Sequence, residues 1–140
     1  MTLVQRFAQV FGAIYLLVGI AGFIPPLLAA KTPDSSFVGL LLGLFFVNAL
    51  HSLTHLVIGV AGLATYRNLA AARIYTLVIG VAYAALFVLG LIFGVTFLGG
   101  LLPLNGWDHV LHIVTALVAF GAYFASAGGG TVDARRSSSA

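Results

Sequence analysis

Four long apolar runs, almost free of charge, constrain this chain more than any other feature. They cover about Phe7 to Ile24, Phe37 to Ala64, Ile74 to Leu98 and Trp107 to Ala125. A bilayer hydrocarbon core of about 30 Å takes about 20 apolar residues of helix to cross. Each run therefore predicts a transmembrane helix, and the second, longer than it needs to be, is expected to tilt or project. The breaks between them, "PPLLAAKTPDSS", "TYRNLAAAR" and "GGLLPLNG", hold the prolines and most of the polar residues, as connections should. Composition supports this reading: 61% of the residues are hydrophobic and only 6% are charged, where a soluble domain carries about 25% charged residues. The fold expected is an all-α, four-helix integral membrane bundle over residues 1–126. The Gly-, Ser- and Arg-containing stretch 127–140 reads as a disordered tail.

The charges that remain fix an orientation. With four spans, the N-terminus, the middle loop and the C-terminus share one side, which holds Arg6, Arg67, Arg73, Arg135 and Arg136. The other side holds only Lys31. The positive-inside rule then puts both termini in the cytoplasm. Trp107 falls at the outer interface and Tyr66 and Tyr75 at the inner one, where amphipathic rings settle. Arg67 and Arg73 read as interface anchors. A cleaved signal peptide is the competing reading of the first run, since Arg6 precedes it and "LLAAK" offers small residues. Its length of about 18 residues exceeds the roughly 7–15 of a signal core. The net charge of +3 rests on too few cations for a nucleic-acid footprint. The absence of cysteine excludes disulfides and thiolate chemistry.

Glycines are spaced for helix packing. Gly39 and Gly43 form GxxxG in the second run, and Gly90 and Gly94 form it in the third. Gly12, Gly19, Gly22, Gly59 and Gly62 mark the first two. Small residues let backbones approach where lipid supplies no hydrophobic drive. Packing inside the bundle is the expected use, with a homo-oligomer or membrane-protein partner face as the alternative. The segment "HSLTHLVIGVAGL" (51–63) also aligns with "DHVLHIVTALVAF" (108–120), setting His55 over His112 and His51 over Asp108. That match suggests two parallel copies of a helical hairpin.

All four histidines and one of the three acids lie in these two segments. His51 and His55 are four residues apart, as are Asp108 and His112, while His109 and His112 are three apart, so each set shares a helix face. Polar stripes in a bilayer turn toward the bundle interior, and Asn48, Ser52 and Thr54 extend the stripe of the second helix. Imidazole can bind Zn²⁺, Cu²⁺ or iron together with carboxylates, ligate haem axially, or relay protons. The metal set is His51, His55, Asp108, His109 and His112. Haem would use one histidine from each helix, His55 and His112. His109, close to Trp107 at the interface, is the weakest member. The bland reading is that these side chains only hydrogen-bond helices together, at about 0.6 kcal/mol each. No nucleophile–base–acid set and no phosphate loop is present, so the sequence offers no catalytic residues. The second helix has no ionisable group between His55 and Tyr66, which argues against an ion pathway.

"NALHSLTHLVIGVAGL" and "DHVLHIVTAL" resemble the signature segments of a family of small bacterial membrane proteins, domain of unknown function 4383. The resemblance covers about residues 5 to 126. It implies a four-helix protein of a bacterial inner membrane in which His51, His55, Asp108 and His112 match the family's polar positions. It implies no activity or cofactor. Two functions are therefore expected to compete: a metal- or haem-binding membrane protein, and a structural or accessory membrane subunit.

Overall fold

The computed structural model describes residues 1–33, 35–94, 99 and 101–137, with side chains described as far as Ser126. Four helices dominate: α1 (Leu3–Ala21), α2 (Ala49–Thr65), α3 (Leu69–Phe93) and α4 (Gly106–Ser137). Three of them, Leu3–Ala21, Leu69–Phe93 and the Gly106–Ser126 part of α4, are long and apolar enough to cross a membrane, whereas α2 is shorter. The backbone of α4 continues into the stretch expected as a tail. The far end of the third apolar run, residues 95–98, lies outside the described residues.

The second apolar run is not one helix. It opens with strand β2 (Gly39–Leu41), turns, and returns as β3 (Phe45–Val47) before α2 begins. With β1 (Leu28–Ala29) these form a three-stranded antiparallel sheet in the order β1-β2-β3, with Leu28 opposite Leu41 and Leu40 opposite Phe46. The reason is local. Leu42 and Gly43 turn the chain at positive φ, 52° and 75°, and glycine reaches that region at little steric cost. Phe45-Phe46-Val47 is an aromatic and β-branched run that suits a pleated surface. Asn48 then caps α2, its Oδ1 accepting from the His51 N–H at 2.8 Å, a strongly preferred N-cap arrangement. The GxxxG reading fails here for the same reason. Gly39 lies in a strand against the Ala29 carbonyl, and no atom stands within 4 Å of a Cβ built at Gly43. Gly94 likewise sits past the end of α3 at φ +55° with open space beside it; Gly90 alone of the four packs against another helix. The stretch 65–73 is also mostly helical, because Asn68 caps α3 by accepting from the Ala71 N–H at 3.0 Å.

The helices form two antiparallel pairs. Along α1 and α2, a Cβ at Gly12 would meet the Leu63 nitrogen at 2.9 Å, and one at Gly59 would strike the Leu16 backbone. Close backbone approach is thus what the glycines of this pair permit. Along α3 and α4, Gly80 lies under the Phe120 ring and Gly90 under the His109 ring. The core runs through both pairs, with Phe11, Tyr15, Ile79, Tyr83 and Ala116 among its buried members. The three-stranded sheet closes the end where α1 and α3 finish and α2 and α4 begin. There Leu28, Leu41 and Val47 make a second small core against Val18 and Ala21.

The two pairs repeat each other's pattern. Buried Val4, Phe7, Ala8, Phe11, Gly12 and Tyr15 in α1 match, in spacing, buried Ala72, Tyr75, Thr76, Ile79, Gly80 and Tyr83 in α3. Asn48, His51, His55, Gly59 and Gly62 match Asn105, Asp108, His112, Ala116 and Ala119, and apart from the two capping asparagines all of these are buried. Contacts between the helices repeat as well. Gly12 meets Leu63 where its counterpart Gly80 meets Phe120, and Gly22 meets Ser52 where its counterpart Gly90 meets His109. The short alignment between residues 51–63 and 108–120 is therefore part of a repeat that includes the first helix of each pair.

Candidate functional site: a buried histidine–tyrosine centre

The centre is built by the starts of α2 and α4. Asn105 caps α4 as Asn48 caps α2: its Oδ1 accepts from the Trp107 and Asp108 N–H groups at 2.9 and 3.1 Å. Asp108 answers by accepting from the Asn105 N–H at 2.8 Å, the reciprocal arrangement of a capping box. Each asparagine also reaches across the molecule. Asn48 Nδ2 donates to the Leu101 carbonyl at 2.9 Å, and Asn105 Nδ2 donates to the Leu44 carbonyl at 2.7 Å. The two caps thereby tie the sheet end of one pair to the connection of the other, and they fix the rotation of both helices.

That rotation turns His51, His55, Asp108 and His112 inward, all less than 10% exposed. Each helix-borne histidine one turn in meets a tyrosine of its own pair edge to face. Tyr15 and His55 have ring centroids 4.9 Å apart at 81°, and Tyr83 and His112 have them 5.2 Å apart at 85°. Tyr15 and Tyr83 meet each other across the centre at 5.7 Å. His51 lies 4.6 Å from His55. A cavity of about 40 Å³ opens between them, with His51, His55, His112, Tyr83, Thr54 and Leu104 in its wall. The tyrosines were not foreseen from the sequence; Tyr15 and Tyr83 carry no motif, and only their matched places in the repeat could have marked them.

The polar atoms facing this centre are short of partners. Nδ1 of His51, His55 and His112 and the Tyr15 hydroxyl are buried without a hydrogen bond, as is the Ser52 hydroxyl away from the centre, against Gly22. Tyr83 and Thr115 are the polar neighbours of the Tyr15 hydroxyl. Such groups each cost about 1–3 kcal/mol when left unpaired. A void of this size has room for a water or a single ion, since one water needs only about 10–15 Å³ of such space.

The expected ligand set is only partly brought together. His51, His55 and His112 share the cavity wall, but Asp108 and His109 do not. Asp108 is engaged as a cap, and both it and His51 interact with the Phe46 backbone at the strand edge. His109 leaves the centre and lies half-buried on Gly90, its Nδ1 also without a partner. Among the described residues, no three His, Cys, Asp or Glu side chains are set as they stand to hold one metal ion. Haem does not fit the cavity at all, since pockets for ligands of that kind run to about 300–1,000 Å³. Tyr75, expected at the inner interface, is instead a core residue whose hydroxyl donates to the Ile58 carbonyl at 3.1 Å. Tyr66 pairs with a cation: Arg67 Nε donates to its hydroxyl at 2.8 Å.

Fold and centre together define a class: a small helical bundle of two like hairpins, apolar outside, closed at one end by a sheet and holding histidines and tyrosines between the pairs. The chain belongs to the family described as domain of unknown function (DUF4383), whose model matches residues 5–125. No curated protein and no solved structure matches it.

Proposed function

We propose that this chain is a multi-pass protein of a bacterial inner membrane, both termini cytoplasmic, whose buried centre binds one transition-metal ion. Support for the membrane comes from the three long apolar helices and from their outward residues. Leu17, Ile74, Val78, Leu91, Val114 and Leu117 are each half or more exposed. At 17 residues α2 stands at the lower limit for a span. The arginine asymmetry supplies the orientation.

The observation that carries the metal reading is the group of three imidazoles with unpartnered Nδ1 atoms around one small void. Neutral ring nitrogen is a good ligand for Zn²⁺, Cu²⁺ or Fe²⁺. His55 and His112 line the void from matched positions and would supply two ligands; His51, in the same wall, would supply the third. A second reading is favoured by the absence, among the described residues, of three side chains already set at ligand geometry. On that reading the protein is a structural or accessory subunit and the void holds water.

Metal content separates them. Protein purified without chelator and incubated with Zn²⁺, Cu²⁺ or Fe²⁺ is expected to retain about one ion per chain. His55→Ala and His112→Ala should each remove nearly all of it, and the double variant little more, because ligands of one centre are not additive. His51→Ala should weaken binding and His109→Ala should leave it unchanged. Wild-type protein that stays metal-free under these conditions overturns the metal reading and leaves the accessory one.

A further inference from the structure

The seam between α1 and α4 carries an open groove. A groove of about 470 Å³ runs along it, floored by Phe7, Phe11, Tyr15 and Thr115 and edged by Val114 and Val118. On the matching seam between α2 and α3, the Tyr75 hydroxyl stitches the helices by donating to the Ile58 carbonyl. The counterpart of Tyr75 in the repeat is Phe7, which has no hydroxyl, so this seam lacks that bond along the groove and is tied instead at its end, where the Val4 N–H donates to Ser126 Oγ at 3.3 Å. Arg6 also lines the groove, at its end nearest the N-terminus, and it is exposed. Its counterpart is Ile74. Asp108, the one acid with a described side chain, caps the far end of α4. Arg6 is thus a cation at the mouth of an apolar groove with no described carboxylate near it.

Dimensions and charge point to one occupant. From Arg6 to Tyr15 the helix rises about 14 Å, close to the roughly 15 Å of one leaflet's hydrocarbon. We infer that the groove takes one acyl chain of an anionic phospholipid, with the headgroup phosphate on Arg6 and the chain end over Tyr15 and Thr115. Guanidinium matches phosphate in charge and geometry. This rests on the membrane reading above and is independent of the metal reading.

The test reconstitutes the full chain in vesicles of equal phosphatidylglycerol and phosphatidylcholine, checks insertion by resistance to alkaline extraction, and then counts lipids retained in native mass spectrometry. Wild type is expected to keep one phosphatidylglycerol in about five-fold preference, the discrimination one interfacial arginine supplies. Arg6→Gln should lose the preference while still retaining a lipid. Val118→Trp, which fills the groove, should lose the retained lipid of either kind. Arg73→Gln, at the same end of the bundle but outside the groove, should behave as wild type. Inserted protein with no preference, or with a preference that survives Arg6→Gln or Val118→Trp, overturns the groove assignment. Failure of all variants to insert overturns the membrane reading itself, and the groove assignment with it.

Discussion

Individual residues divide here by what their neighbours allow. Gly59 lies against the Leu16 backbone, while Gly43 has open space and a positive φ. The two glycines are needed for different reasons, and substitution tells them apart. Gly43→Asn should be nearly neutral, because asparagine visits the left-handed region with a local hydrogen bond. Gly59→Asn should cost about 1–3 kcal/mol, since overpacking forces backbones apart. Thermal unfolding in detergent measures both, and equal losses at the two positions would contradict this division. The histidines divide similarly. His51, His55 and His112 face one void, whereas His109, only three residues from His112, packs on Gly90.

At the level of elements, the two asparagine caps join the repeat together. Each satisfies an otherwise open helix N–H and also donates to a carbonyl of the other pair. Replacing Asn48 by alanine removes both interactions, about 1 kcal/mol for the cap and about 1 kcal/mol for the cross-tie. Asn48→Asp keeps the capping oxygen and loses only the donated bond, so it should recover about half of the loss. Detergent melting curves of the three proteins check this; an aspartate variant no more stable than the alanine variant would mean the cap contributes nothing. The sequence writes these caps as "NALH" and "NGWDH", but by pattern alone Asn48 reads as part of the second helix's polar stripe and Asn105 only as part of a connection. Hydrophobicity over 37–64 is continuous, and only Gly43 and the Phe45-Phe46-Val47 run mark the hairpin that interrupts it.

For the whole molecule, the proposed membrane placement makes a prediction about sides. On the proposed topology, four crossings would put the sheet end, with Lys31, outside and the α2–α3 turn, with Arg67, inside. The chain has no cysteine, so single introduced thiols report cleanly. A cysteine at Ser36 should react with an impermeant reagent in intact cells, and one at Ala70 should react only after lysis. Labelling of Ala70→Cys in sealed cells would reverse or reduce the number of crossings, and with it the side on which the groove's arginine lies. The repeat adds a constraint of its own, because two like hairpins related in parallel must each enter and leave on the same sides.

What the sequence determined by itself is the material: long apolar runs with little charge, arginines placed before the first run, between the second and third and after the fourth, and histidines confined to two segments of like pattern. These are properties of composition and order along the chain, and hydropathy reads them without any fold. Which of the histidines meet was decided only by tertiary structure. Spacing places Asp108 and His112 on one face, but a cap takes up the carboxylate and leaves the imidazole to the centre. Tyr15 and Tyr83 lie far from the histidines in sequence and reach them because antiparallel pairing brings the middle of α1 to α2 and of α3 to α4. Helical periodicity fixes a residue's direction from its own axis; the packing of a second helix fixes what stands there to meet it.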